Sequence, residues 1–157
     1  MIDGLAEWLQ IFLLSMIPGL ESRYVVPLVG IHEFGWTWWQ AFPIAIAGNM
    51  ILVPVILMFF KKVELFLRRF PKCKKAMDWG FPIIRRRAND KITTYETAAL
   101  LFFVAIPLPF TGAGLGSLIA VLFDLRFSQS LLMIFIGVII STAVTTSIYL
   151  TSSFFIG

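Results

Sequence analysis

Glu21 and Arg23 stand two residues apart inside an otherwise apolar run. A charge at mid-bilayer depth costs about 2.5–3.5 kcal/mol even on a lenient insertion scale, so it persists only where protein or a water-filled cavity surrounds it. Arg23 carries the planar fork that holds an anionic group bidentately, and Glu21 can take up and release a proton. On a helix the two side chains would point to nearly opposite faces, whereas in extended chain they share one. Extended backbone is expected after Pro18-Gly19, so the two should pair or jointly line a cavity. The plainer alternative is a buried ion pair that only holds the segment in place. Asn49, in the next apolar run, is the third candidate for substrate or proton handling, against the alternative that it hydrogen-bonds a neighbouring helix.

A second constellation is Thr111-Gly112-Ala113-Gly114-Leu115-Gly116-Ser117. Glycines at alternate positions let backbone N–H groups converge at a helix start, which makes an anion site. Gly112-x-x-x-Gly116 serves equally as a small-residue face for helix packing. If the two polar breaks pack tip to tip, Arg23 should face this helix start, with Gly114 and Gly116 opening the backbone to the anion. Ser141, Thr142, Thr145 and Thr146 recur at helical spacing and are expected to face the breaks; back-bonding to their own helix is the alternative. Cys73 is alone, and no His/Cys/Asp cluster has metal spacing. Neither a phosphate-loop motif nor a nucleophile elbow occurs. No metal, cofactor or catalytic residue is therefore expected, and the chain is not expected to be an enzyme.

The elements that must position these groups are apolar. Of 157 residues, 59% are hydrophobic and only 14% charged, against roughly 25% charged in soluble domains. Four apolar stretches cover 5–31, 41–60, 98–123 and 131–156, each long enough to enter or cross a hydrocarbon core of about 30 Å. Two of them are broken, one by Pro18 and Gly19, the other by Pro107, Pro109 and Gly112. Each half of a broken stretch, at about 1.5 Å per residue, reaches only part-way through the core. Pro27 is tolerable in the first turn of the second half. A re-entrant hairpin thus fits better than a continuous helix. At an offset of 89 residues Ile17-Pro18 matches Ile106-Pro107, and Phe34, Gln40 and Gly48 match Phe123, Gln129 and Gly137. The expected fold is an all-α integral membrane protein forming a single domain. It has two inverted-topology repeats, about 5–60 and 98–156, each a re-entrant hairpin plus one transmembrane helix, joined by a basic segment at 61–97.

Charge sets the orientation. Positions 61–91 hold eleven Lys/Arg against three acidic residues, a net +8 in a chain whose total is +4. So basic a segment stays cytoplasmic and can contact anionic lipid head groups. Nucleic acid is not an expected partner, because thirty residues hold no recognised binding fold. Val63, Phe66, Leu67 and Phe70 beside Lys62, Arg68 and Arg69 suggest an amphipathic helix on the inner surface, ending near Pro71. With hairpins entering from opposite sides, both termini lie outside. Asp3 and Glu7 replace the basic start of a cleaved signal, and Trp36, Trp38 and Trp39 form an outer interfacial belt.

Pro18-x-x-Glu21-x-Arg23-x-x-x-Pro27-Leu28 resembles the first-hairpin signature of the small multidrug export proteins, a family distantly similar to the DedA-type membrane proteins. Ile106-Pro107-Leu108-Pro109-x-Thr111-Gly112-Ala113, with Gly116-Ser117-Leu118-Ile119-Ala120, resembles its second. The chain departs from that pattern at Phe110, where glycine is usual, and at Gly114-Leu115. The resemblance implies export of small molecules; the DedA relatives imply movement of polyprenyl-phosphate lipid carriers coupled to proton gradients. The expected activity is secondary transport or lipid flipping of a small or lipid-phosphate substrate in the cell membrane, by a monomer or homo-oligomer. The alternatives are a membrane assembly or homeostasis factor whose buried polar groups are structural, and an intramembrane head-group enzyme.

Overall fold

The computed structural model describes residues 6–67, 90–108 and 111–156. These residues are helical apart from short turns. Helix α1 (Glu7–Ser15) ends in a tightened turn, Met16 and Ile17 donating to the carbonyls of Leu13 and Leu14 at 3.1 Å. Pro18 and Gly19 then reverse the chain, Gly19 with φ +101°, a conformation open to glycine at little steric cost. The return arm is helical at once: one turn, α2 (Glu21–Tyr24), runs into a π-helical stretch, Val25–Glu33. Trp36 Nε1 donates to Glu7 at 2.8 Å, so the arms of this first hairpin begin and end together.

Two expectations are corrected here. Glu21–Arg23 is not extended: the amides of Leu20 and Glu21 both bond the Ile17 carbonyl, closing a helical turn. Pro27 is not in a first turn, since the arm is already helical from Glu21. Its ring would clash with the carbonyl four residues back in α geometry and it lacks an N–H. The wider π register, i to i+5, is how this arm carries it.

Helix α3 (Trp38–Leu67) starts with a capping pair: Gln40 Oε1 accepts from the Thr37 N–H at 3.1 Å and from its hydroxyl at 2.7 Å, one half of a capping box. It runs past the expected end at 60 through Lys61 and Lys62 to Leu67, because nothing between 60 and 67 breaks a helix. The separate amphipathic helix is therefore corrected to the last turns of α3 as far as Leu67, and its remainder at 68–70, with most of the basic segment, lies outside the described residues. Helix α4 (Asp90–Ala105) and α5 (Ala113–Leu122) form the second hairpin, and α6 (Phe127–Ile156) follows.

Both long helices have 30 residues, and both their starts and their ends differ by 89 positions. The matched glycines make matched crossings. A Cβ on Gly48 would collide with the carbonyl of Phe12 in α1, and one on Gly137 would lie 3.2 Å from that of Leu101 in α4 and 2.8 Å from Val104. Phe12 and Leu101 are themselves 89 apart. The short second arm of each hairpin also packs on the long helix of the other half, α2 on α6 and α5 on α3. Helices α3 and α6 run in opposite directions: His32, just before α3, meets Tyr149 near the end of α6 at 3.0 Å, and Asn49 and Thr142 meet the same Ser22.

Two apolar clusters form the core, one of Ile11, Leu14, Val25, Val26, Ala41 and Ala45, the other centred on Val53, Leu100, Val104 and Ile134. Burial is otherwise inverted from a soluble protein. Ser15, Glu21, Ser22, Arg23, Asn49, Ser117, Ser141 and Thr142 are inside, while Val55, Phe59, Phe102, Leu132, Ile148 and Phe154 are exposed. Among the described residues, stretches Trp38–Phe59 and Phe127–Phe155 are long and apolar enough to cross a membrane. By contrast α1 spans about 14 Å and α5 about 15 Å, half a hydrocarbon core. Trp38 and Trp39 are exposed at the start of α3, beside Trp36 and Glu7.

Candidate functional site

The tip of the first hairpin inserts between the tip of the second and the middles of α3 and α6. Glu21 and Arg23 are only 5% and 2% exposed. Arg23 Nη2 donates to Glu21 Oε2 at 2.7 Å. Arg23 Nη1 donates to the Leu108 carbonyl at 3.0 Å and to Thr111 Oγ1 at 3.3 Å, joining hairpin tips 85 and 88 residues apart in sequence. The Thr111 hydroxyl, with Ile106 and Leu108 carbonyls at 2.8 and 2.9 Å, spends its proton on one of them and keeps a lone pair for the guanidinium. The guanidinium carbon also lies 5.7 Å from the Tyr24 ring centroid, within cation–π range.

Glu21 reaches this pair through a helical turn because its own backbone is left-handed, with φ +46°. That region is disfavoured for a residue with a Cβ, and such strain is held only where the surroundings over-determine it. The surroundings here are specific. The Glu21 carboxylate lies against the Cα of Gly112, so close that any Cβ at 112 would occupy the same space. Gly112 is the residue before the first turn of α5, whose N-terminal end favours negative charge.

Ser22, fully buried between the charged residues, is the hub of a polar chain. Asn49 Nδ2 donates to Ser22 Oγ at 3.1 Å, and Ser22 Oγ shares a 2.8 Å hydrogen bond with Thr142 Oγ1. Glu21, Ser22, Arg23, Asn49, Gly112, Ser141 and Thr142, with Val104 and Val138, surround a gap of about 140 Å³ that admits no water-sized sphere. Two buried polar atoms of this lining have no partner: Arg23 Nε and Ser141 Oγ. Buried polar groups are nearly always paired, and an orphan is a mark of an unfilled role.

The residues singled out from sequence separate on this geometry. Glu21, Arg23, Asn49, Thr111 and Gly112 come together. Pro18, Gly19 and Pro107 form the hairpin turns, Pro27 lies in the π stretch behind Arg23, and Pro109 lies outside the described residues. The glycine-rich helix start requires correction. Arg23 reaches the turn before α5 at Leu108 and Thr111, and the group at the helix start is Glu21. Gly114 faces open space, and Gly116 packs on Val104, Ile134 and Leu100. Ser117 is buried with its hydroxyl on the Ala113 carbonyl at 2.6 Å. Gly116 and Ser117 are packing residues because α5 is pressed against α4 there. Thr142 faces the first hairpin as expected, whereas Thr145 bonds back to Ser141 and Thr142 carbonyls at 3.0 Å. Ser22, Tyr24 and the Leu108 carbonyl were not foreseen. Ser22, a hydroxyl between two intramembrane charges, was the one signal available. Among the described residues no group of three His, Cys, Asp or Glu could hold a metal ion.

A family model described as "Putative small multi-drug export protein" matches residues 21–144. No curated protein and no solved structure matches the chain.

Proposed function

Because the chain belongs to the small multi-drug export protein family by its match over residues 21–144, we propose that it is a secondary transporter or flippase moving a small or lipid-linked anionic substrate with proton coupling. In this reading Arg23 takes the anionic group, Glu21 carries the proton and Asn49 steadies the tip through Ser22. The two halves act as inverted repeats, whose hairpins re-enter the membrane from opposite faces. Antiparallel long helices of equal length and the arms α1 and α5, too short to cross, support it. Residues 61–91 are then cytoplasmic, where they meet anionic head groups, and both termini are outside. The lipid-linked substrate follows the distant likeness to DedA-type proteins.

The observation that carries this reading is the closed Glu21–Arg23 pair. Each hairpin supplies one wall, and the gap admits no water. An alternating-access protein passes through such an occluded arrangement, and parting either tip from the other opens the pair to one side. In this reading the activity is translocation.

Proteoliposomes under an imposed pH gradient test it, with radiolabelled phosphate and a fluorescent short-chain lipid phosphate as probes. At least one probe should move. Glu21→Gln, which cannot release a proton, should lose gradient-driven movement; Arg23→Lys, which keeps charge but loses the fork, should weaken probe binding. If neither probe moves and both variants only unfold, the pair is structural and the chain is an assembly factor.

A further inference from the structure

Glu21 uses Arg23 incompletely. A guanidinium offers a carboxylate or phosphate two parallel N–H groups along its Nε–Nη2 edge. Glu21 Oε2 takes Nη2 at 2.7 Å, yet Nε, on the same edge and buried, has no partner. The adjoining Ser141 hydroxyl is likewise buried and unpaired. The carboxylate that half-fills this edge is held by a strained backbone, φ +46°, against Gly112 at the N-terminal end of α5. With no room for water in the gap, a second anion cannot sit beside Glu21; it can only replace it.

We propose that Glu21 is the resident competitor of the substrate: a carboxylate or phosphate group displaces it from Arg23 and from the start of α5. The entering group takes both Nε and Nη2 and the Ser141 hydroxyl, satisfying the atoms that Glu21 leaves unpaired, and Glu21 relaxes from its left-handed backbone as it leaves. Removal of the Glu21 charge therefore strengthens anion binding, the opposite of what a residue assisting the anion would give. This inference rests on the proposed anion site at Arg23 and adds the exchange.

The test is phosphate binding to the purified full-length protein in detergent by calorimetry, with inorganic phosphate and dihexanoyl phosphatidic acid as separate probes. Glu21→Gln should bind phosphate about tenfold or more tightly than the unaltered chain, since a charged rival is lost from a low-dielectric site. Gly112→Ala, whose Cβ fills the place of the carboxylate, closes that place to the entering anion as well and should weaken phosphate binding. Arg23→Gln in the Glu21→Gln background should abolish it. Preference for the phosphatidic acid assigns a lipid head group, and equal affinity a free anion. Equal or weaker binding by Glu21→Gln overturns the exchange. Should neither variant fold, phosphate must shift the Arg23 Nε–H resonance of the unaltered protein, identified by its absence in Arg23→Lys, and no shift overturns the exchange. Tighter binding without any translocation in proteoliposomes would remove the transport reading and leave the exchange standing; translocation with unimproved binding would do the reverse.

Discussion

Three glycines test the helix crossings directly. In α3, a Cβ on Gly48 would overlap the Phe12 carbonyl oxygen and lie 3.0 and 3.2 Å from the Phe12 carbonyl carbon and Cα. These are backbone atoms of a packed helix and cannot rotate away. Overpacking of this kind costs about 1–3 kcal/mol, and the upper end applies. Alanine returns about 1 kcal/mol of helix propensity, so Gly48→Ala should lose about 2 kcal/mol net. At Gly137 the neighbours are Val104 Cβ at 2.8 Å and Cγ1 at 2.9 Å, with the Leu101 carbonyl at 3.2 Å. The nearest atom is a Cβ, which side-chain rotation does not move, but no backbone atom is overlapped, and the net loss should be about 1 kcal/mol. At Gly114 nothing lies within 4 Å, so alanine keeps its propensity gain of up to about 1 kcal/mol. For a chain of this size 1 kcal/mol moves Tm by roughly 2–4 °C. Tryptophan fluorescence during thermal unfolding in micelles should give Gly48→Ala roughly 4–8 °C below the unaltered protein, Gly137→Ala between, and Gly114→Ala at or above it. If Gly48→Ala melts at or above Gly114→Ala, the close crossing of α1 and α3 is wrong.

Ser22→Ala and Thr142→Val should each cost about 1 kcal/mol or more, and a double-mutant cycle in thermal unfolding should show coupling; strict additivity would contradict the 2.8 Å bond between them. Thr37→Ala removes the hydroxyl bond to Gln40 and keeps the backbone N–H bond, so it should lose about 0.5–1.5 kcal/mol, read as a lower Tm, and Gln40→Ala in that background should lower Tm further. A reporter that fluoresces only in the cytoplasm, fused after Gly157, should be silent under the proposed topology, and a bright fusion would refute it.

Much of the architecture was legible because it rests on local signals. Pro18-Gly19 and Pro107 mark the turns, since a missing N–H or a left-handed φ interrupts a helix wherever it occurs. The offset of 89 residues, read from a few identities, recurs in the ends of both long helices and in the crossings at Gly48 and Gly137. Helix α3 outruns the expected end because a fall in hydropathy at Lys61 does not stop a helix, and no proline or glycine lies between 61 and 67.

That Glu21 and Arg23 must be enclosed is legible from residue types alone, because lipid cannot solvate them, and the same holds for two broken apolar stretches turning their polar breaks inward. What encloses them depends on packing between distant segments. Packing each short arm on the other half's long helix carries Arg23 to a carbonyl 85 residues away and sets Ser22 between Asn49 and Thr142. It also presses Glu21 onto the one position, Gly112, with no side chain to exclude it. Extended backbone was the local expectation for Glu21 and Arg23; a helical turn with one left-handed residue met the same need. Contacts made across the fold outweigh a local backbone preference of one or two kcal/mol, and periodicity within a single stretch carries no information about them.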